Sequence, residues 1–352
     1  MKRIKLSFKI NPYACTQHYA HFLMGLLVPL IIERDSLLKE GIEEIYIPSS
    51  DILDHLIHEI GFLEIKIADK LSYDNMIDIE HRELVGFDDL NRLYGDKFNR
   101  ARDILLVQLK DKINIILKDI NSKFTGSGEK ILVINRAPPD PFYFTDKSLH
   151  RDISSGTHRR SLPNFKEMID VIKSKYDNVL VEEHGLNGKS LSYQIALFQS
   201  ADIIIIQHGS DMCNLIWAKN KIIQIEIYPK NVHLISGYEE YFRHLTRSQY
   251  SELLEKEKDN LENLNIIKRY GRPIKDYGWG RESENWFSSG APKLCEQLNH
   301  TLFRVYQKSN HSPVKIDLIL TALDYAYNND PIENEKLNKE IYDTAIAYLI
   351  KE

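Results

Sequence analysis

Asp202-Ile-Ile-Ile-Ile-Gln-His-Gly-Ser-Asp-Met-Cys-Asn-Leu-Ile-Trp-Ala218 is the stretch whose reading decides the fold. Four isoleucines with no polar break read as a strand buried on both faces, as in a parallel sheet. His208-Gly209 then turns the chain into a predicted helix over about 211–219, with Ser210 and Asp211 at its start. A helix in that place offers free backbone N–H groups and the positive end of its dipole beyond the strand. In parallel α/β sheets phosphorylated ligands bind at such a point. A second apolar strand follows at once, Ile222–Tyr228, with one carboxylate, Glu226, near its carboxyl end. The three features together point to a nucleotide-sugar pocket.

Working outward, the same alternation recurs. Strands are predicted at Ile131–Asn135 and Asn178–Glu182, and helices at about 164–175 and 190–200. The first third shows strands at Ile4–Ile10, Glu44–Pro48 and Glu64–Ala68, with helices at about 19–39 and 51–60. This is the signature of βαβ units. A long helical pattern runs from Phe87 to about Ile120, and polar Asn121–Glu129, with two glycines, is the best boundary in the chain. Two amphipathic helices are read near the end. One has Ile316, Leu320, Leu323 and Tyr327 on one face; the other has Leu337, Ile341, Ala345 and Tyr348. The expected architecture is α/β of the GT-B plan: two Rossmann-like domains facing a cleft, with C-terminal helices. Residues 1–120 form the acceptor-side domain, 121–300 the nucleotide-sugar domain, and 301–352 helices that pack on them. The active site of such a plan lies in the cleft, at the carboxyl ends of both sheets.

The bulk numbers suit this. The chain has 352 residues, enough for two domains, with 43% hydrophobic and 28% charged residues. A net charge of −5 argues against a dedicated nucleic-acid binder, although His158-Arg-Arg160 is locally basic. Cys15, Cys213 and Cys295 are widely spaced and form neither a metal motif nor a disulfide framework, which points to a reducing, cytoplasmic setting. The amino terminus, Met1–Ile10, is too charged for the core of a signal peptide. The most apolar stretch, Tyr19–Ile32, is shorter than the roughly 20 residues of a membrane span and reads as a partly buried helix. Nothing speaks to the oligomeric state. No Gly-x-Gly-x-x-Gly follows a predicted strand, which argues against a nicotinamide dehydrogenase.

Sugar transfer from a nucleotide donor needs charge stabilisation on the leaving diphosphate, a base for the acceptor hydroxyl, and alignment of both sugars. Enzymes that use a divalent metal for the first task commonly carry Asp-x-Asp, and this chain has none. No metal site or cofactor is expected beyond the donor substrate. Stabilisation then falls to arginines and a helix start. Arg136, at the end of strand Ile131–Asn135, is well placed, and Arg159 and Arg160 are further candidates. Taken singly, each of these has a blander reading as an ion-pair or loop residue. So do His208, as a satisfied buried histidine, and Glu226, as the partner of a lysine. Their grouping at or near predicted strand ends carries the case.

The segment from Ile131 to about Pro229 resembles glycosyltransferase family 61. The resemblance rests on Ile-Asn135-Arg136, then Arg160-Ser-Leu-Pro-Asn164-Phe-Lys-Glu167, then Ser190-Leu-Ser192-Tyr-Gln194 opening a helix. It continues in His208-Gly209-Ser210-Asp211-Met-Cys-Asn214 and closes in Ile225-Glu226-Ile-Tyr-Pro229. Near the amino terminus, His18-Tyr-Ala-His21 before Leu-Val-Pro29 is similar to the family's histidine-containing helix, although Gly25 stands where the family often has an acid.

The resemblance implies an inverting, metal-independent glycosyltransferase. It would move xylose or N-acetylglucosamine from a UDP-sugar to a hydroxyl of a glycan or glycoprotein acceptor. Arg136 and Arg160 would face the diphosphate; His208, Gly209, Ser210 and Asn214 would line it; Ser190, Ser192 and Gln194 would shape the nucleotide side, with Glu226 beside them on the donor side. His21 is the first choice of base, since a histidine accepts a proton near neutral pH. Asp140, Asp146 and Asp152 in the long loop are alternatives. Two other readings stay open: another GT-B-like transferase, of pyruvyl or fucosyl groups, and a non-catalytic glycan-binding scaffold of the same fold.

Overall fold

The computed structural model describes residues 2–9, 15–85, 95–148, 155–219, 221–229, 300–307 and 310–328. The expected helix around Leu337–Tyr348, the cysteine at 295 and Asp152 lie outside the described residues. The chain separates into two compact units. The first comprises Met1–Lys118, Pro141–Asp152 and Gly188–Ala196; the second comprises Asp119–Asp140, Ile153–Asn187 and Leu197–Glu352. Both are α/β with all-parallel sheets, the Rossmann-like layering that the alternation of elements predicts.

In the first unit, β1 (Lys2–Lys9), β2 (Ile42–Pro48), β3 (Ile65–Ala68) and β4 (Glu80–Val85) form a four-stranded sheet in the order β3-β2-β1-β4. Ile4 and Leu6 of β1 and Ile45 and Ile47 of β2 are buried at alternate positions. After β1 the chain enters α1 (Tyr19–Phe22), widens into a π-helical turn at Leu23–Leu27, and continues as α2 (Val28–Lys39). Pro29 explains the widening: it has no N–H for the carbonyl of Gly25, and its ring would strike that carbonyl in a regular helix. Leu23 through Ile31 are all buried. This stretch is therefore a helix enclosed on every side, rather than the partly buried one expected. The pattern at 87–120 resolves into α5 (Gly95–Gln108) and α6 (Lys110–Ser122), after the short α3 (Asp54–Ile60) and α4 (Lys70–Asp74).

In the second unit, β5 (Ile131–Ile134), β6 (Val179–Glu182), β7 (Ile203–Gln207), β8 (Ile223–Pro229) and β9 (Thr301–Gln307) form a sheet ordered β6-β5-β7-β8-β9. On one face Ile131, Val133, Ile203, Ile205, Ile225 and Ile227 pack with α8 (Phe165–Lys175) and α10 (Ile316–Asn328). On the other, Leu132, Ile134, Ile204 and Ile206 are equally buried. Burial on both faces is why these strands read as unbroken apolar runs. Each such side chain contributes about 1.5–3 kcal/mol by leaving water. The remaining helices are α7 (Gly156–Arg159) and α9 (Leu191–Ser200), of which Leu191–Ala196 belongs to the first unit. Where helices alone were expected from 301 onward, Thr301–Gln307 is a strand.

Two consequences position the site. From β5 the chain goes to β6 on one side of the sheet, and then to β7 on the other. The strand order thus reverses between β5 and β7, and ligands of open α/β sheets bind beyond the carboxyl ends at such a switch point. Arg136 follows β5 there and His208-Gly209 follows β7. The expected helix at 211–219 is instead a 3-10 segment, Ser210–Trp217, in which Met212 through Trp217 are buried. Its apolar residues are spread around the axis, not gathered on a stripe, so it is a tight, enclosed connection rather than an amphipathic helix. Among the described residues no helix is long and apolar enough to cross a membrane.

Candidate functional site

The second unit gathers Arg136, Arg160, His208 and Gly209 around one backbone carbonyl. Arg136 donates from Nη1 to the carbonyl of His208 at 3.0 Å and from Nε to the carbonyl of Gly156 at 3.2 Å. Arg160, only 6% exposed, donates from Nη1 to the same His208 carbonyl at 3.4 Å. Two guanidiniums therefore converge on one oxygen at the switch point. Burial pushes the pKa of Arg136 down, the charge of Asp211 pulls it back up, and Arg159 opposes it. Arg136 stays charged throughout, as a guanidinium does. Burial raises the Asp211 carboxyl, and the Arg136 charge counteracts that rise.

Local structure explains why each group sits where it does. Gly156 holds a left-handed φ of +53°, and a Cβ there would overlap the carbonyl of Ala137, the residue after Arg136. Only glycine lets this loop close down on the end of β5. Gly209 is extended, so its backbone would suit any residue; its reason is space. A Cβ on Gly209 would overlap Nη1 of Arg136. The glycine of the His-Gly pair is a seat for the arginine. Arg160 is fixed through its neighbour: the Ser161 carbonyl accepts from the side-chain amides of Gln207 at 3.2 Å and Gln307 at 2.8 Å.

His208 and Glu226 face each other with Nδ1 and Oε1 2.7 Å apart, and both are essentially without exposed surface. Glu226 therefore acts from behind the histidine, orienting its ring, and does not line the site. Asn214 is also fully buried, whereas Ser210 is half-buried.

Ser190, Ser192 and Gln194 belong to the first unit, at the start of α9. The amides of Leu191 and Ser192 donate to the Glu59 carboxylate at 2.5 and 3.1 Å. Ser190 Oγ accepts from the amide of Tyr193 at 3.1 Å. The chain thus supplies its own anion to this helix start, a use that the local sequence does not announce.

His21 is half-buried in the first unit, its ring edge-on to His18 at 5.9 Å. Of the alternative bases, Asp140 belongs to the second unit, its amide donating to Ser155 Oγ at 3.0 Å, and Asp146 is exposed in the first. Sequence reasoning missed Gly156, whose role depends on a contact 19 residues back in the chain, and Glu59, Gln17 and Asp51, which meet their partners only through the fold. Among the described residues no three His, Cys, Asp or Glu side chains are grouped so as to hold a metal ion.

The seat of Arg136 gives one direct expectation. Gly209→Ala should displace the guanidinium from the His208 carbonyl while the strand-end backbone holds, because the clash falls on the tip of a flexible side chain. Loss of one charge-assisted hydrogen bond, about 1.5–3 kcal/mol, should weaken binding of a nucleoside diphosphate by roughly tenfold or more. Calorimetry beside a melting curve checks it; wild-type affinity in the variant would remove Arg136 from the ligand's partners.

The family described as Glycosyltransferase 61 matches the chain over residues 19–225, more than half its length, spanning the strand-end arginine and the His-Gly turn. No curated protein is a match. The resemblance expected from the sequence is thereby shown: the chain belongs to glycosyltransferase family 61 and is a glycosyltransferase.

Proposed function

We propose that the chain transfers a sugar from a UDP-sugar, with xylose or N-acetylglucosamine as the sugar, to a hydroxyl of a glycan or glycoprotein acceptor. In this reading the fold is GT-B, the reaction inverts the anomeric centre, and no metal ion takes part. The convergence of Arg136 and Arg160 on the His208 carbonyl carries the proposal. Two like charges held together by one neutral oxygen are relieved by an anion between them. A diphosphate is the anion that sugar transfer brings, and its charge grows as the sugar leaves. Preorganised donors that need no rearrangement at that moment lower the barrier. Arginine forks suit phosphate oxygens because they donate two parallel bonds. The absence of Asp-x-Asp from the sequence favours arginines over a cation in this role.

On the acceptor side, His21 takes the hydroxyl proton as the acceptor oxygen attacks the anomeric carbon. The bond to the diphosphate breaks with its electron pair, which departs on the phosphate oxygen.

Titration calorimetry with UDP in the presence of EDTA tests the donor side. UDP is expected to bind in EDTA, and GDP, CMP and TDP less tightly. An absolute need for manganese or magnesium would sink the metal-free mechanism, and preference for another nucleotide would replace UDP.

A further inference from the structure

The first unit holds a second polar cluster, beyond the carboxyl ends of β1 and β2, that the diphosphate site does not use. Gln17 is 3% exposed; its side-chain amide donates to the Asp51 carboxylate and, at 3.1 Å, to the carbonyl of Lys147. The Tyr143 hydroxyl donates to the Gln17 carbonyl at 2.6 Å. The His18 ring stacks on Tyr143, centroids 5.0 Å apart and planes 9° from parallel, and Phe142 meets Tyr143 edge-on at 5.6 Å. The turn Pro141–Phe144 is thus pinned over Gln17, with Phe144 still 58% exposed.

Asp51 itself is exposed, and its backbone is left-handed with φ +52°. Aspartate tolerates this conformation better than most residues, but it is uncommon. The turn that imposes it is built by its neighbours: the Asp51 amide donates to Ser49 Oγ at 3.0 Å, while Asp54 accepts from Ser49 Oγ and the Ser50 amide, both at 2.6 Å. Ser50 Oγ, next in the chain, is buried with no hydrogen-bond partner among the described residues. The carboxylate is therefore presented outward by a rigid turn and oriented by a buried amide.

We propose that this cluster is a carbohydrate subsite, in which neighbouring hydroxyls of a sugar donate to the Asp51 carboxylate, Gln17 positions that carboxylate, and the aromatic turn Pro141–Phe144 packs against the sugar's C–H face. A carboxylate offers two oxygens that accept a pair of vicinal hydroxyls, and a fixed ring offers the apolar surface that the other face of a pyranose needs. The same groups are wrong for the alternatives. A phosphate would meet a negative charge. A hard cation needs several oxygens from grouped carboxylates, and no three His, Cys, Asp or Glu side chains are grouped so as to hold one among the described residues. That the bound sugar serves as acceptor rests on the proposed function; that it binds does not.

The test uses the full chain and saturation-transfer NMR with methyl β-xyloside, methyl β-galactoside and methyl β-N-acetylglucosaminide as probes. Wild type should give a signal with at least one of them. Asp51→Gly and Asp51→Asn both keep a residue that accepts a left-handed φ. The glycine variant should weaken that glycoside at least tenfold and the asparagine variant less, with the melting temperature close to wild type. Should the glycine variant not fold, the asparagine variant is the one read, and any clear loss of glycoside affinity in it supports the subsite. No signal with any glycoside in wild type, or wild-type affinity in the folded variant that is read, overturns it. A UDP titration on the same samples separates the two ideas: glycoside contact without UDP binding removes the donor reading and leaves the subsite, and UDP binding without glycoside contact does the reverse.

Discussion

Arg136→Ala is expected to slow sugar transfer by two to three orders of magnitude while leaving most of the fold intact. The size follows from what the side chain does. Removing one preorganised donor to developing negative charge costs on the order of 2–4 kcal/mol of transition-state stabilisation. The folding loss is smaller, because the two carbonyls that Arg136 holds, those of His208 and Gly156, keep other chances of a partner. Each bond given up costs about 0.5–1.5 kcal/mol net. Arg136→Lys should recover only part of the rate. A single ammonium keeps the charge but cannot hold both carbonyls and still offer a second parallel bond to a phosphate. Steady-state kinetics beside a denaturant melt reads both quantities. Activity that falls only in step with the folded fraction would make the arginine structural.

The features that made Arg136 findable show what a sequence carries. Strands β5 and β7 are buried on both faces, so up to the terminal Gln207 of β7 their side chains leave no polar position to blur the run, and the strand ends are marked by the first charged or small residue after it. Arg136 and His208-Gly209 are those residues. Strand β4 shows the converse. Glu80, His81 and Glu83 are exposed and Leu84 is buried at 6%, because this edge strand meets the sheet only through β1. It is held by pairs such as Arg82 with Glu40, at 2.8 and 3.2 Å, whose members lie 42 residues apart. No periodicity reports such a strand. The same holds for the strand at 301–307 and for the 3-10 segment at 210–217, where an apolar sequence suits either a helix or a tight enclosed turn and tertiary packing decides.

The candidate site divides in the same way. Residues that a strand end presents were legible. Residues whose meaning is a distant contact were not: Gly156 against Ala137, Glu59 on the start of α9, Gln17 with Asp51. The long loop after Arg136 could be read as functional from its length alone. Its work could not. It brings Gly156 back to Arg136, and it carries Tyr143 to the carbonyl of Gln17, 126 residues earlier in the chain and in the same first unit.

His21→Ala should abolish transfer yet leave UDP affinity close to wild type. His21 belongs to the first unit, whereas Arg136, Arg160 and His208 belong to the second, so the groups proposed to hold the diphosphate are untouched by its loss. A positioned general base contributes about 10²–10⁴-fold, and its removal is felt in the chemical step alone. Its setting suits that role: the ring is half-buried, edge-on to His18, which is in turn stacked on a tyrosine anchored to the Gln17 carbonyl. The π-helical turn that follows at Leu23–Leu27 gives this end of the helix a local geometry of its own. The competing reading is that His21 only packs the helix against its surroundings, in which case the variant should lose stability and activity together. A pH profile separates the two. A base works deprotonated, so the rate must fall on the acid side as it takes up a proton. That limb should be missing from whatever residual activity His21→Ala retains. A variant that keeps most of its rate, or keeps the acid limb, moves the role to Asp140, Asp146 or Asp152, and the same measurement on Asp140→Asn, Asp146→Asn and Asp152→Asn then assigns it.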